Sequence, residues 1–374
     1  MSKVARHKKP KKTVDGQGTT LRRGWTTGAC ATAATKSALN ALLKGEFIDP
    51  VTISLPKGDT PSFALAREET GNGFAQAGIV KDAGDDPDVT HGATIIAHVS
   101  FGKKGAGITF HAGEGVGTVT KAGLPLEIDE AAINPVPRQL MTEVVETLCK
   151  EHGIPADIEI KISVPGGEKI AERTWNPRLG ILGGISILGT TGVVHPFSCS
   201  AWIHSIHRGI DVAKAEGLDH VLGATGSTSE TAACEIYKFP EIAMLDMGDF
   251  VGGLLKYLRN NPVKRITLAG GFAKFSKLAQ GAMDLHSGRS QVDFDWFADR
   301  IKEHANQETI DRIQSANSAL EVLELTQGIS IDLPQIIAET AQLKALEILR
   351  GAPVEVEVMI FSRDGKQLAR TGWK

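Results

Sequence analysis

Cysteine is scarce and dispersed: Cys30, Cys149, Cys199 and Cys234 are the four in 374 residues, and no two make a CxxC pair. That spacing argues against a zinc site or a disulfide framework and for a reducing compartment. Aromatic residues are only 5% of the chain, too few for a stacking platform along single-stranded nucleic acid. No charge of one sign dominates, because 41 Lys and Arg face 44 Asp and Glu for a formal net charge of −3. The whole-molecule field therefore gives no reason to expect a nucleic-acid partner. No apolar run approaches the ~18 residues that a membrane span needs. The basic start, with Lys3, Arg6, Lys8, Lys9, Lys11 and Lys12, is not followed by an apolar core and so does not read as a secretory signal. Residues 1–20 read as a disordered basic tail, and the protein as cytoplasmic, without a membrane or nucleic-acid partner.

Glycine, by contrast, is abundant at 41 residues, beside 41% hydrophobic and 23% charged positions. This is the composition of a soluble α/β protein with many strand-to-helix turns. The length suits two domains. Thr26-Thr27-Gly28 leads an alanine-dense run to Lys44-Gly45, the pattern of a capped helix with a glycine stop. Short alternating runs at 51–55, 74–79, 94–99, 108–111 and 116–120 follow, then a helix from Pro135 to Gly153 and a strand over 157–164. Residues 21–165 are thus expected to form an α+β domain. From 166 to 374 the rhythm changes to apolar runs of strand length between helices: 185–188, 220–223, 242–245 and 265–268, with helices at 201–216, 228–238, 250–259 and 272–285. Helices at 294–305, 307–326 and 334–350 and a strand at 354–361 complete it. The expectation is an N-terminal α+β domain followed by a Rossmann-like α/β domain with a mostly parallel sheet and extra C-terminal helices.

In an open parallel sheet, ligands bind beyond the carboxyl ends of the strands. Gly223-Ala224-Thr225-Gly226-Ser227 and Gly270-Gly271 each fall between a strand and a helix. Asp246 ends the next strand about 20 positions after the first glycine turn, where a carboxylate can hold ribose hydroxyls. An adenosine-containing ligand fits that layout, although glycine turns that merely pack helices on strands fit it too. Gly113-Glu114-Gly115-Val116-Gly117 leads into strand-like residues, so it reads as a bulged or tightly turned hairpin rather than a nucleotide loop. The dense glycine and hydroxyl residues of 179–192, Thr190 and Thr191 among them, would let backbone amides face a ligand. His286 reads either as a capping histidine at a helix end or as a titrating group near Arg289. His204 and His207 share a helix face, but no carboxylate or cysteine cluster joins them to make a metal site.

Several blocks taken together resemble one family, the cobalt-precorrin-5B C1-methyltransferases of cobalamin biosynthesis. They are Gly24-Trp25-Thr26-Thr27-Gly28-Ala29-Cys30-Ala31, the 113–121 stretch, Ile133-Asn134-Pro135-Val136-Pro137-Arg138, Val164-Pro165-Gly166-Gly167-Glu168, residues 176–181, residues 183–192, and Gly270-Gly271-Phe272-Ala273-Lys274. The blocks span most of 21–290. Trp25 stands where tyrosine or phenylalanine is as readily expected, which keeps an aromatic there. The resemblance implies methyl transfer from S-adenosylmethionine to C1 of cobalt-precorrin-5B, giving cobalt-precorrin-6A. It implies corrinoid contacts in 21–165 and S-adenosylmethionine binding in 166–374, at Gly223, Thr225, Gly226, Ser227, Asp246, Gly270 and Gly271. Acidic arms of the corrinoid would be met by Arg23, Thr26, Thr27, Gly28, Lys121, Arg138, Arg178, Thr190 and Thr191, with arginine favoured for bidentate contacts. His286 or Glu114 would accept the departing proton. Cobalt would arrive with the substrate, so no protein-bound metal is expected. Two other functions use the same residues: an NAD(P)-dependent reductase of a corrinoid, and a non-catalytic corrinoid-binding protein. The oligomeric state is left open, a homo-oligomer included.

Overall fold

Thr26 lies in extended backbone, and its hydroxyl accepts the Ala29 amide at 3.2 Å, which starts helix α1 (Thr27–Lys44). Gly45 at φ +78° stops it. The computed structural model describes residues 20–374; the basic tail expected over 1–20 lies, up to residue 19, outside the described residues. Most of α1 is buried, and its alanines let it sit close to β2 (Phe74–Val80) and β3 (Thr94–Phe101). Ala75, Ala77 and Ile79 alternate inward from β2 to receive it. Two buried hydroxyls on α1 find carbonyls, Thr32 on Gly28 O at 2.8 Å and Ser37 on Ile48 O at 2.9 Å, while that of Thr35 has no hydrogen-bond partner among the described residues. Helix α2 (Pro135–Glu151) packs on α1, with Pro at its first turn.

Contacts divide the chain into two units, residues 1–120 with 125–198 and residues 121–124 with 199–374. The first holds a five-stranded sheet. With β1 (Arg67–Gly71), β4 (Ile108–Ala112) and β5 (Ile158–Ser163), its order is β1-β2-β3-β5-β4, antiparallel except for the β4/β5 pair. Because β4 pairs with β5, and Thr118–Val119 pairs with Ile181–Leu182, the expected hairpin across 108–120 does not form. Segment 166–198, assigned from sequence to the second domain, is tied to this unit by that pairing, by Gly24–Trp25 on Val193–Val194, and by bridges Val116–Ile185 and Ile133–Ile187. The contact boundary therefore falls at 198/199 rather than 165/166. Residues 185–188 make single bridges instead of a strand.

The second unit holds β6 (His220–Ala224), β7 (Met244–Asp246), β8 (Arg265–Gly271), β9 (Glu355–Phe361) and β10 (Gln367–Arg370) in the order β7-β6-β8-β9-β10. All neighbours are parallel except β9/β10. Both sheet faces are buried, which is why the strands read as continuous apolar runs. Val221, Ile266, Leu268, Val356 and Val358 face the larger core with α3 (Cys199–Ala215) and, after α4, with α5 (Val251–Asn260) and α6 (Phe272–Ala279). Leu222, Ala224, Ala269 and Met359 face the smaller core under α4 (Ser227–Tyr237). Helix α6 ends at Ala279, so His286 sits in a loop rather than at a helix end. The helix expected over 307–326 is two, α8 (Gln307–Gln314) and α9 (Ala319–Leu325), after α7 (Phe294–Ile301); Ser318 caps the second through the Glu321 amide at 3.2 Å. Helix α10 (Leu333–Leu349) covers α6 and β9. No helix among the described residues is long and apolar enough to cross a membrane.

Candidate functional site

At the carboxyl ends of β6, β7 and β8 the chain folds three loops onto one another. Thr225 N donates to Ala269 O at 2.9 Å and Gly248 N to Ala224 O at 3.1 Å, so the loops after β6 and β7 are pinned to the strand ends. Lys274, from the first turns of α6, donates to Thr225 O at 2.8 Å and lies 3.2 Å from Asp249 Oδ1. The loop after α6 joins through Leu285 N on Asp249 O at 2.9 Å and Gly252 N on Met283 O at 2.9 Å. Lys277 reaches Leu285 O at 2.9 Å; burial pushes its ammonium below the usual lysine range, against the pull of Asp249.

These contacts bring together Thr225, Gly226, Ser227, Asp246, Gly270 and Gly271, the expected cofactor residues, with different duties. Gly226 and Gly271 face open space: a Cβ on either would meet nothing within 4 Å. A Cβ on Gly223 would lie 2.7 Å from Leu254 Cδ2, and one on Gly270 2.5 Å from Thr225 Oγ1 and Phe275 Cε2, so both serve packing. The Cβ side of Gly223 therefore faces core side chains rather than open space. Gly226, Ser227 and Thr228 are exposed at the start of α4, where a cavity of about 340 Å³ opens against Thr231, Glu235 and the 364–365 turn. Asp246 is already engaged by other groups. His286 lies on the exposed loop beside this cluster; its Nδ1 accepts the Gly288 amide at 3.0 Å. Arg289 pairs with Asp284 and stands 5.7 Å over the Phe250 ring.

Trp202 gave no periodic signal in the sequence. Its indole N–H donates to Asp246 O at 2.9 Å, yet 44% of the residue is exposed.

The residues expected to meet carboxylate arms are mostly committed elsewhere. At the α1 start, Gly28 N bonds Leu188 O at 3.0 Å, and Thr27 Oγ1 both accepts Leu188 N at 2.9 Å and donates to Leu188 O at 3.1 Å. Thr26, Thr27 and Gly28 are buried, so this helix start is closed by its own chain. Arg138 spends all three nitrogens: Nε on Ile133 O at 2.7 Å, Nη1 on Glu130 at 3.1 Å and Nη2 on Ala131 O at 3.1 Å. Lys121 pairs with Glu216 at 2.6 Å. Arg178 lies 6.0 Å from the Trp175 ring, and both it and Arg23 have partners. Burial, helped by the Arg23 charge, lowers the His195 imidazole below its usual range. Thr191 turns back on Val193 at 3.3 Å, and Thr190 is exposed.

Glu114 is exposed, but its neighbour Gly115 is not. Gly115, Gly167 and Gly184 meet backbone to backbone: a Cβ on Gly167 or Gly184 would lie 2.1 or 2.2 Å from Gly115 O. The glycines of 179–192 are thus spent on close packing in part, rather than on amides facing a ligand. A cavity of about 480 Å³ in the first unit is lined in part by Asp85, Asp86, Asp88, His91 and Arg173, an acidic rim ill suited to an acid-armed ligand. Among the described residues, no group of three or more His, Cys, Asp or Glu is placed to hold a metal ion.

Comparison with known proteins places these features in a family. The family model described as CbiD matches residues 14–196, close to the contact boundary, and that described as CbiD, C-terminal domain matches 284–372. A Brucella anthropi protein named cobalt-precorrin-5B C(1)-methyltransferase is 67% identical over 352 residues, which cover 94% of this chain and 95% of that protein. A Brucella canis protein of the same name is 67% identical over 353 residues with the same coverage. A crystal structure of the cobalamin biosynthesis protein CbiD from Archaeoglobus fulgidus, 24% identical, aligns over 82% of this chain and 84% of its own at a TM-score of 0.39, too loose to bear on the fold. The full-length identity to the two Brucella proteins leaves one conclusion: this chain belongs to the CbiD family.

Proposed function

We propose that this chain methylates C1 of cobalt-precorrin-5B, with S-adenosylmethionine as donor, to give cobalt-precorrin-6A in cobalamin biosynthesis. The observation that carries the reading is 67% identity to proteins of that name across 94% of this chain. The donor is read at the point where the order β7-β6-β8 reverses, between the ends of β6 and β8, in a sheet we read as Rossmann-like. Gly226 and Gly271 leave room there for a ligand to approach the backbone, and Ser227 and Thr228 offer hydroxyls at the open α4 start.

In methyl transfer the macrocycle supplies the electron pair. A bond forms from C1 to the methyl carbon as the carbon–sulfur bond breaks, and the sulfonium leaves as a neutral thioether. No protein nucleophile is needed. The protein aligns two ligands and keeps water from the charge-neutralising step. Cobalt belongs to the substrate. His286, on the loop that folds against Asp249, is read as the proton acceptor.

Incubation with cobalt-precorrin-5B and S-adenosylmethionine tests this by mass spectrometry. The corrinoid gains one methyl while an equal amount of S-adenosylhomocysteine appears. A corrinoid that is reduced with NADPH instead, or bound but unchanged, overturns the reading in favour of a reductase or a carrier.

A further inference from the structure

We propose that Trp202, Phe250 and Met283 form the floor on which one face of the corrinoid macrocycle rests, beside the donor; the inference rests on the function proposed above. The three come from separate segments: α3, the loop after β7 and the loop after α6. Trp202 is 44% exposed and Met283 43%, large apolar surfaces left in water at the ligand-binding end of the sheet. Neither is loose. The Trp202 indole is fixed by its bond to Asp246 O at 2.9 Å and lies 6.1 Å from the Phe250 ring. Two glycines clear space for the pair. Gly248 has φ +55°, and a Cβ there would sit 3.3 Å from the indole; a Cβ on Gly252 would sit 2.6 Å from Met283 Cβ. A rigid tryptophan beside an adaptable thioether suits a broad, slightly ruffled apolar ring.

The position fits an acceptor rather than the donor. Asp246, whose carbonyl holds Trp202, is in register with Ala224, so the floor is anchored at the end of β7, the strand beside β6. It adjoins the switch point without filling it. The rim suits acid arms: Arg289 stands over Phe250 and Lys274 lies beside Asp249, both partly exposed. Asp284 takes the Nε and Nη2 edge of Arg289, and a carboxylate arm can bond the Nη1 donors without displacing it. An apolar face carrying carboxylates is matched by an apolar floor with guanidinium and ammonium donors at its edge.

Calorimetric titration of the full chain with cobyrinic acid, a stable corrinoid with free carboxylate arms, tests the assignment. Trp202→Ala is expected to raise the dissociation constant about tenfold. Met283→Glu, which sets a carboxylate under the ring at an exposed site, is expected to do at least as much, while Trp202→Phe retains most of the affinity. S-adenosylhomocysteine affinity stays within about twofold in all three. Wild-type corrinoid binding retained in both Trp202→Ala and Met283→Glu overturns the floor while leaving the function standing. Loss of S-adenosylhomocysteine binding instead assigns the surface to the donor and overturns it equally. A wild-type chain that binds neither compound overturns the function itself.

Discussion

Two helix starts in this molecule use the same residues to opposite ends. Thr26-Thr27-Gly28 opens α1 and Gly226-Ser227-Thr228 opens α4; both offer hydroxyls, a glycine and the positive end of a helix. At α1 the 186–192 loop lays Leu188 across the amides, and every polar group named there has an internal partner. At α4 no side chain caps the helix, and the space beside Gly226 is open. An anion-binding vocabulary is therefore a statement about available donors, and tertiary packing decides whether they are left for a ligand. The first start is a joint between segments far apart in sequence. The second is left open, as the proposed donor site requires.

The largest test of that contrast is Gly189→Val. Gly189 has φ +135°, and a Cβ there would lie 2.3 Å from Thr26 Oγ1, so the substitution both strains the backbone and forces the joint apart. A loss of ~3 kcal/mol or more is expected in urea unfolding, from overpacking with an incompatible backbone. An unshifted midpoint would mean the α1 start is not closed as described. Gly226→Val is the mirror experiment. Its backbone at φ 169° is extended, which any residue adopts, and nothing crowds the new side chain. Stability should change by no more than ~0.5 kcal/mol, while S-adenosylhomocysteine binding weakens about tenfold or more. A destabilised protein with intact binding would reverse the comparison. Thr27→Val removes both bonds to Leu188 and orphans its amide, for an expected cost of about 1–3 kcal/mol in the same unfolding measurement, with donor affinity untouched.

Much of the architecture is legible in the chain because it is written locally. The Thr26 cap and Gly45 stop mark α1, and the two-sided burial of β6, β8 and β9 produces the apolar runs that signal a parallel sheet. The site is legible only in outline. Gly223 and Gly226 stand in one turn, and nothing local says that the first meets Leu254 while the second meets open space. Arg138 shows a cation but not the carbonyls of Ile133 and Ala131 that consume it. Leu188 carries no mark of its partner at Thr27, and Trp202 no mark of the Asp246 carbonyl that holds it exposed. Long-range partners decide each of these, and they have no period to read.

The same contrast runs along a single strand. The carboxyl end of β6 opens at Gly226, while its amino end, His220, is half-buried under packing side chains: Nε2 lies 2.9 Å from Thr267 Oγ1, and the rings of Tyr237, Phe239 and Trp373 pack around it. Behind Thr267 sits Glu357, bonded by Tyr237 and Arg370, with Arg265 over Trp373. Burial, then the Arg265 charge, lowers the His220 imidazole from 6.5 to about 4. The sign follows from which state takes the proton. Between pH 6.5 and about 4 the unfolded imidazole is protonated and the folded one is not, so stability falls as pH falls through that window. His220→Gln keeps a partner for Thr267 and removes the titration. At neutral pH this is the smallest effect of the set, and the variant's stability tracks the wild type. Below pH 6.5 the two curves diverge, the wild type losing stability faster. Parallel curves across the window would show the amino end to be open to water. A change in S-adenosylhomocysteine affinity would show that the two ends of β6 are coupled.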